Sequence, residues 1–360
     1  MNDPARFRSQ FPVFERLSYL NAGTEGPVPY AVGEAVRARL SADLSEGRAG
    51  RAYFDQVMDL AARARAGYAR ALGADPGQVA LTSSTTYGLN TVLGGLAFAP
   101  GDEVLTSDQE HPGLLAPLRR LQVVSGVKVR VVPFSELPGE VGADTRLVAC
   151  SHVSWVGGEV VDVAALRATG VPILLDAAQA LGAIPVDVQA LGVDFYAGSG
   201  QKWMCGPEGS GALYVRPDRL DEIEPPCPGY STVADHSDPF GSALSEGAGR
   251  LDDGFPSALR STWALAAMSV LEGAGWAWVH ERAAVGAEQL AELLRSHGHR
   301  VAPRGRSTLV SWAAEDADAE VARLAAEGVI VRSIPSAGLV RASVGAWTSE
   351  EEIHGLAELA

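Results

Sequence analysis

Along the chain, short apolar runs alternate with longer amphipathic stretches, and this rhythm sets the first expectation. Residues 30–44 and 53–72 carry Ala, Leu and Val at helical spacing. Gly73 ends the second stretch and Asp75-Pro76 restarts the chain. Short apolar segments then recur at "QVALTS" (78–83), "DEVLTS" (102–107), "KVRVVPF" (128–134), "RLVACSHV" (146–153), "VPILLDAA" (171–178), "DFYAGSG" (194–200) and "GALYVR" (211–216). Helical patterns at 85–97 and 113–126 separate some of them. Strands alternating with helices predict an α/β fold: a mostly parallel sheet of the seven-stranded type, sandwiched by helices. The first thirty residues, with Pro12, Pro27 and Pro29, read as irregular.

From about Leu251 the texture changes. Residues 258–298 are helical in pattern almost throughout, and shorter strand and helix candidates follow at 306–314, 318–329, 330–335, 338–345 and 349–360. This predicts a smaller α+β domain, entered through the acidic, Gly- and Ser-rich stretch 235–249. The expected organisation is an N-terminal segment (1–25), a large domain (26–250) and a small C-terminal domain (251–360).

Composition narrows the class. The 360 residues are 47% hydrophobic and 20% charged, which suits a globular protein with a sizeable core. A net charge of −15 argues against nucleic acid or an anionic membrane as partner. Cys150, Cys205 and Cys227 show no paired metal-ligand spacing, so no metal is expected, and so sparse a set suits a reducing compartment. The N-terminus lacks an apolar targeting core, and no apolar run has membrane-spanning length. A soluble, cytoplasmic protein is the expectation.

Ligands of open α/β sheets sit beyond the carboxyl ends of the strands, so the residues just after each apolar run are the ones to inspect. Asp176 ends "VPILLD"; it either caps the next helix or pairs with a cationic ligand group. Thr85 and Thr86 open a helix, where hydroxyls and free N–H groups serve as caps or hold an anion. His111 follows "DEVLTS" and is either a loop histidine or an imidazole that stacks on a planar ligand or shuttles a proton. Lys202 follows "VDFYAGSG" but is flanked by Gln201 and Trp203, so the Gly-Lys-Ser/Thr of a phosphate-binding P-loop is absent. Arg341, in "GLVRASVG", is either a surface arginine or a carboxylate fork. Together these residues describe a site for pyridoxal phosphate, which needs a lysine for its covalent link, a carboxylate against its ring nitrogen and a phosphate cradle.

On these residues, and on the segments "LTSSTTYGLN", "SDQEHPG", "SHVSWVGGE", "LLDAAQALGAIPVDVQALGVDFYAGSGQKWMCGPEGSGALYV" and "LVRASVGAWTSEEEI", the chain resembles fold-type I, class V aminotransferase-like enzymes. That group includes cysteine desulfurases, cystine C–S lyases and isopenicillin N epimerase, and "DQEHPGLLAPL" and "QKWMCGPEGSGALYV" look closest to the C–S lyase branch. The resemblance implies the pyridoxal-phosphate-dependent transferase fold and a homodimer acting on a small amino acid. Residues 1–25 would line the active site and 26–250 would bind the cofactor. Lys202 would hold the cofactor covalently, then move the Cα proton. Asp176 would pair with the ring nitrogen, Gln179 would face the ring's phenolic oxygen and His111 would stack on the ring. Thr85, Thr86, Ser199 and Gln201 would hold the phosphate. Arg341 would bind the substrate carboxylate, with Asn21 and Ala22 lining the same end.

The sequence departs from the family pattern in three places. The loop 331–338 lacks the nucleophilic cysteine of desulfurases. "SHVSWVGGE" offers Ser154 and Trp155 where many relatives place an asparagine near the ring oxygen. Phe255 stands where relatives supply a Gly-Thr or Ala-Thr phosphate contact from a partner subunit. The resemblance to the C–S lyase branch implies β-elimination at a C–S bond, and the missing loop cysteine argues against persulfide relay. Epimerisation, transamination or a non-catalytic binding role are the alternatives.

Overall fold

The computed structural model describes residues 3–360. Its strands, in chain order, are β1 (Ser18–Tyr19), β2 (Val79–Thr82), β3 (Glu103–Ser107), β4 (Lys128–Val132), β5 (Thr145–Ser151), β6 (Ile173–Asp176), β7 (Phe195–Ser199), β8 (Gly211–Val215), β9 (Leu309–Ala313), β10 (Val329–Ile330), β11 (Arg332–Ile334) and β12 (Leu339–Ser343). A seven-stranded sheet in the order β2-β8-β7-β6-β5-β3-β4 forms the large domain. β4, β3, β5, β6 and β7 pair in parallel, and β8 runs antiparallel to both β7 and β2. All seven apolar runs read from the sequence in 78–216 are strands of this sheet.

The uniform hydrophobicity of the central strands follows from their position. β6 and β7 are buried at every residue because helices and loops cover both faces of the sheet. One face packs on the helices Thr85–Gly95 and Pro112–Ser125, in a core that includes Leu89, Leu118, Leu174 and Phe195. The other face shares a larger core with Tyr68, Leu72, Leu175, Tyr196 and Met268. Start signals lie where the chain must enter the site. The Ser84 side chain caps the helix Thr85–Gly95 by accepting the Tyr87 N–H, and His111 caps Pro112–Ser125 with proline at its first position.

The C-terminal part begins with two helices, Ala258–Ala274 and Trp276–Ser296, broken at Gly275. They are followed by the antiparallel sheet β11-β12-β9 and the helices Ala317–Ala326 and Glu350–Leu359. The N-terminal segment is more ordered than its prolines suggest. A short helix (Pro4–Arg8) places Phe7 against Trp278 and Trp347, with ring centroids 5.3 and 6.4 Å away. β1 pairs in parallel with β10, and Asn21 bridges to Ser343. Such pairing is made over long sequence separation, which a local reading of prolines does not register.

Candidate active site

The carboxyl ends of β2, β3, β5, β6 and β7 point to one edge of the sheet, and the sequence-derived site residues gather there. Asp176, the last residue of β6, is 5% exposed; its Oδ1 accepts the Ala178 N–H at 2.8 Å. Burial raises its pKa, while the Ala178 N–H and the Lys202 charge pull the other way. Lys202 follows β7 and is partly screened from solvent. Desolvation lowers its ammonium pKa to about 8, with Asp176 opposing and Arg341 and Arg332 reinforcing the shift. A fraction of Lys202 is therefore the neutral amine near neutral pH, the form able to attack a carbonyl or take a proton.

His111 Nδ1 accepts the Gly113 N–H at 3.0 Å, which places the ring proton on Nε2. Burial, then the charges of Lys202, Arg332 and Arg341, lower its pKa to about 4. The imidazole is thus neutral and can lie against an aromatic ring without adding charge. Its ring meets Trp155 edge-on, 5.0 Å between centroids. Thr86 is exposed beside it: a Cβ built on Gly113 would lie 2.5 Å from Thr86 Oγ1 and 3.1 Å from His111 Nδ1.

Thr85 and Ser199 are buried and share a hydrogen bond of 2.6 Å between their hydroxyls. It joins the helix start after β2 to the end of β7. The Gln201 carbonyl accepts the Gly26 N–H at 2.7 Å, while one end of its side-chain amide is buried without a partner. Gly26 has to be glycine here, because a Cβ would run into the Lys202 carbonyl. Gln179 is more committed than expected. Its Oε1 accepts the Trp203 indole N–H at 3.0 Å and its Nε2 donates to the Gly23 carbonyl at 2.8 Å. One Nε2 hydrogen is left for a ligand oxygen.

The small domain supplies the opposite wall. Arg341 on β12 is fully buried, not a surface arginine. Its Nη1 donates to the Trp155 carbonyl at 2.7 Å, but Nε and Nη2 have no partner among the described residues. Burial and neighbouring Arg332 lower its pKa to about 9, so it stays cationic at neutral pH. The Ser343 hydroxyl, also buried, likewise has no partner among the described residues. Arg341 Nη2 and Ser343 Oγ lie 3.0 and 2.8 Å from where a Gly23 Cβ would sit. Asn21 and Ala22 lead into this corner; Asn21 Oδ1 accepts the Thr24 hydroxyl at 2.8 Å and Ala22 is buried. Buried donors without acceptors cost free energy unless an anion arrives, and a carboxylate matches the guanidinium fork.

Four residues of this region were not singled out from the sequence: Glu110, Trp155 as an aromatic wall, Arg332 and Ser343. Arg332 faces Arg341 across the β11–β12 hairpin in register and lies over the Trp155 ring, 5.5 Å from its centroid. The hairpin reading of "VRSIPSAGLVR" would have exposed this pairing, because opposed positions on two strands share a face.

The donor set fits pyridoxal phosphate: a lysine of lowered basicity, a buried carboxylate, a neutral imidazole, and hydroxyl and amide groups at a helix start. Lys202, Asp176 and His111 would hold its ring, and Thr85, Ser199 and Gln201 its phosphate.

Comparison with known proteins places this arrangement. The aminotransferase class-V family model matches residues 19–356. Isopenicillin N epimerase of Streptomyces clavuligerus is 34% identical over 224 residues, covering 57% of this chain and 55% of that protein. A probable cysteine desulfurase of Methanothermobacter thermautotrophicus is 33% identical over 244 residues, covering 64% of this chain and 61% of that protein. The matches thus span less than two thirds of these relatives' length. The solved structure of the cystine C–S lyase C-DES with its reaction product cysteine persulfide superposes with a TM-score of 0.91 at 29% identity, covering 97% of this chain and 98% of that one. A C-DES mutant solved with glycine covalently linked to its pyridoxal-phosphate cofactor gives a TM-score of 0.92 at 29% identity, covering 98% of each chain. With this fold, this strand-end site and a family match across most of its length, the chain belongs to the aminotransferase class-V family of pyridoxal-phosphate enzymes.

Proposed function

We propose that the protein is a C–S lyase acting on cysteine, cystine or a close analogue. The observation that carries this reading over the other reactions of the family is the likeness to the cystine C–S lyase; the turn Pro335–Ala337 between β11 and β12, which contains no cysteine, argues only against a persulfide relay. The thiols elsewhere are poor substitutes. Cys150 and Cys205 are buried, and burial pushes both well above the ordinary thiol range; Cys227 is exposed beyond β8. Sulfur released at this site would leave as a small molecule, not pass to an enzyme thiolate.

Bound pyridoxal phosphate supplies a sink for the electron pair left when the Cα–H bond breaks. The remaining work falls to the chain's own groups. Arg341 orients the substrate through its carboxylate, with Ser343 beside it. Lys202 Nζ takes the Cα proton. Asp176 would keep the cofactor's ring nitrogen protonated, and neutral His111 would lie against its ring. The Cβ–S bond then breaks, sulfur departs with the bonding pair, and hydrolysis of the remainder gives pyruvate and ammonia. Arg332, half-buried above Trp155, faces the same space as a second cation and favours a substrate with a further anionic or strongly accepting group.

A homodimer is part of this proposal. Tyr230, Phe240 and Phe255 are exposed along 230–255, and Tyr230 and Phe255 are in ring contact at 5.8 Å. Exposed aromatics grouped in this way suit a subunit contact.

The test is a steady-state assay of cofactor-loaded protein with cystine and cysteine, reading pyruvate. Release of pyruvate with one equivalent of ammonia is expected. Absence of pyruvate, with Cα deuterium exchange retained, would replace elimination by epimerisation or transamination. Protein that stays colourless with added pyridoxal phosphate would defeat all the catalytic readings.

A further inference from the structure

Behind Asp176 lies a second buried carboxyl. Glu110, 4% exposed, precedes His111 at the carboxyl end of β3. Its Oε1 accepts the Ser107 hydroxyl and its Oε2 the Ser151 hydroxyl, the latter at 2.6 Å. Ser107 ends β3 and Ser151 ends β5, so the carboxyl fastens two strand ends together. Ser151 is the direct register partner of Asp176 on neighbouring β6. In a parallel sheet, registered residues point to the same face. Glu110 is therefore one serine away from the residue that faces the cofactor's ring nitrogen.

We propose that Glu110 is a positioning residue that acts through Asp176. Its negative charge adds to the field holding the ring nitrogen protonated, and its two serine bonds fix the loop that carries His111. This rests on Asp176 meeting that nitrogen, but not on which reaction follows.

Burial raises the Glu110 carboxyl pKa to about 7, with the two serine hydroxyls opposing and Asp176 adding to the rise, so the charge acts on the ring nitrogen above about pH 7 and is lost below it. The other titratable groups nearby are the Cys150 thiol on β5, held protonated by burial, and His111, held neutral. Among them only Asp176 shares the negative field, and Lys202, which follows β7, opposes it. Among the described residues, the Glu110 side chain bonds only to Ser107 and Ser151, which separates it from a catalytic group.

The test uses holoenzyme and needs no turnover. The absorbance of bound pyridoxal phosphate is titrated from about pH 5 to about pH 10 in wild type, Glu110→Gln and Glu110→Ala. Glutamine can accept from one serine and donate to the other, so it keeps the loop but removes the charge. A nearby anion stabilises the protonated cofactor, so its removal lowers the titration midpoint. Glu110→Gln should lower it by about half a pH unit or more. Glu110→Ala should lower it similarly and also weaken cofactor retention on dialysis. Ser151→Ala, which leaves the carboxyl but removes one donor, should lower the midpoint by less and decides the matter if the Glu110 variants fail to fold. A Glu110→Gln or Ser151→Ala midpoint equal to wild type would reduce Glu110 to a fastener and overturn the proposal. Failure of the cofactor reading is distinguishable, because wild type would then show no cofactor band to titrate.

Discussion

The two walls of the cleft are built on opposite principles. On the sheet side, most polar groups already have partners, the Gln201 amide oxygen excepted: Thr85 with Ser199, Gln179 with Gly23 and Trp203, Glu110 with two serines, Asp176 with a backbone N–H. On the small-domain side, Arg341 and Ser343 are buried with donors unused, and Arg332 faces Arg341 with the same charge. A wall whose groups bond one another is stable and shaped before any ligand binds. A wall of orphaned cationic donors is strained until an anion arrives. The first suits a resident cofactor, the second a transient substrate.

The largest test of this contrast is Lys202→Ala. If Lys202 is the covalent lysine proposed above, no other described group in the cleft replaces it, so turnover should fall by about 10³-fold or more in a steady-state assay, while circular dichroism stays unchanged. A variant that keeps wild-type turnover would remove Lys202 from the centre of the site.

Next comes Arg341→Met. Amino-acid binding, followed by absorbance change on substrate addition, should weaken about 100-fold, because the carboxylate loses its buried charged partner. The ligand-free protein should melt about 1–4 °C higher, because an unsatisfied buried cation is replaced by an apolar side chain. A fall in both quantities would show that Arg341 is a structural group and break the contrast.

The sheet side carries an acid lability. His152 is 4% exposed and its Nδ1 lies 2.8 Å from the Tyr196 hydroxyl. Burial lowers its pKa from 6.5 to about 4. Between these values the unfolded chain binds the proton and the folded chain does not, so stability falls as pH drops through that window. His111 adds to the same trend, its pKa also lowered to about 4. The Glu110 carboxyl, raised to about 7, works in the opposite sense, but two histidines outweigh one carboxyl, so melting temperature should decline between about pH 6.5 and about pH 4, and His152→Gln should flatten part of the slope. An unchanged slope would show that His152 is not among the groups responsible.

The smallest effect belongs to Arg332→Ala. Arg332 is half-exposed, so solvent screens it. Affinity for substrates with a second anionic group should drop about three- to tenfold, with less difference at high salt. Equal losses for neutral and anionic side chains would show that Arg332 acts by shape.

The legible part of the site lies where function follows directly from strand ends. Lys202, Asp176, His111 and Thr85 each come just after an apolar run, and the topology rule for open sheets places such residues together. Arg341 was marked as a candidate, but its complete burial was not visible: "GLVRASVG" reads the same for an exposed strand as for a covered one. Arg332 was missed because its meaning comes from pairing across a hairpin, and Glu110 because a glutamate beside a histidine looks solvated until its partners on other strands are known. The prolines of the first thirty residues masked β1, which exists only because β10 is there to pair with it.

The sequence by itself determined the order of strands and helices, the presence of a strand-end lysine and aspartate, and the lack of a cysteine in 331–338. These are local properties, set by periodicity, turn residues and residue identity. Only the tertiary structure decided which polar groups are satisfied and which are not. That depends on neighbours brought from distant parts of the chain, and on how far water is excluded where they meet. The difference between Gln179, held at both ends, and Arg341, held at one, is of this second kind. It is what divides the cleft into a settled wall and a receptive one.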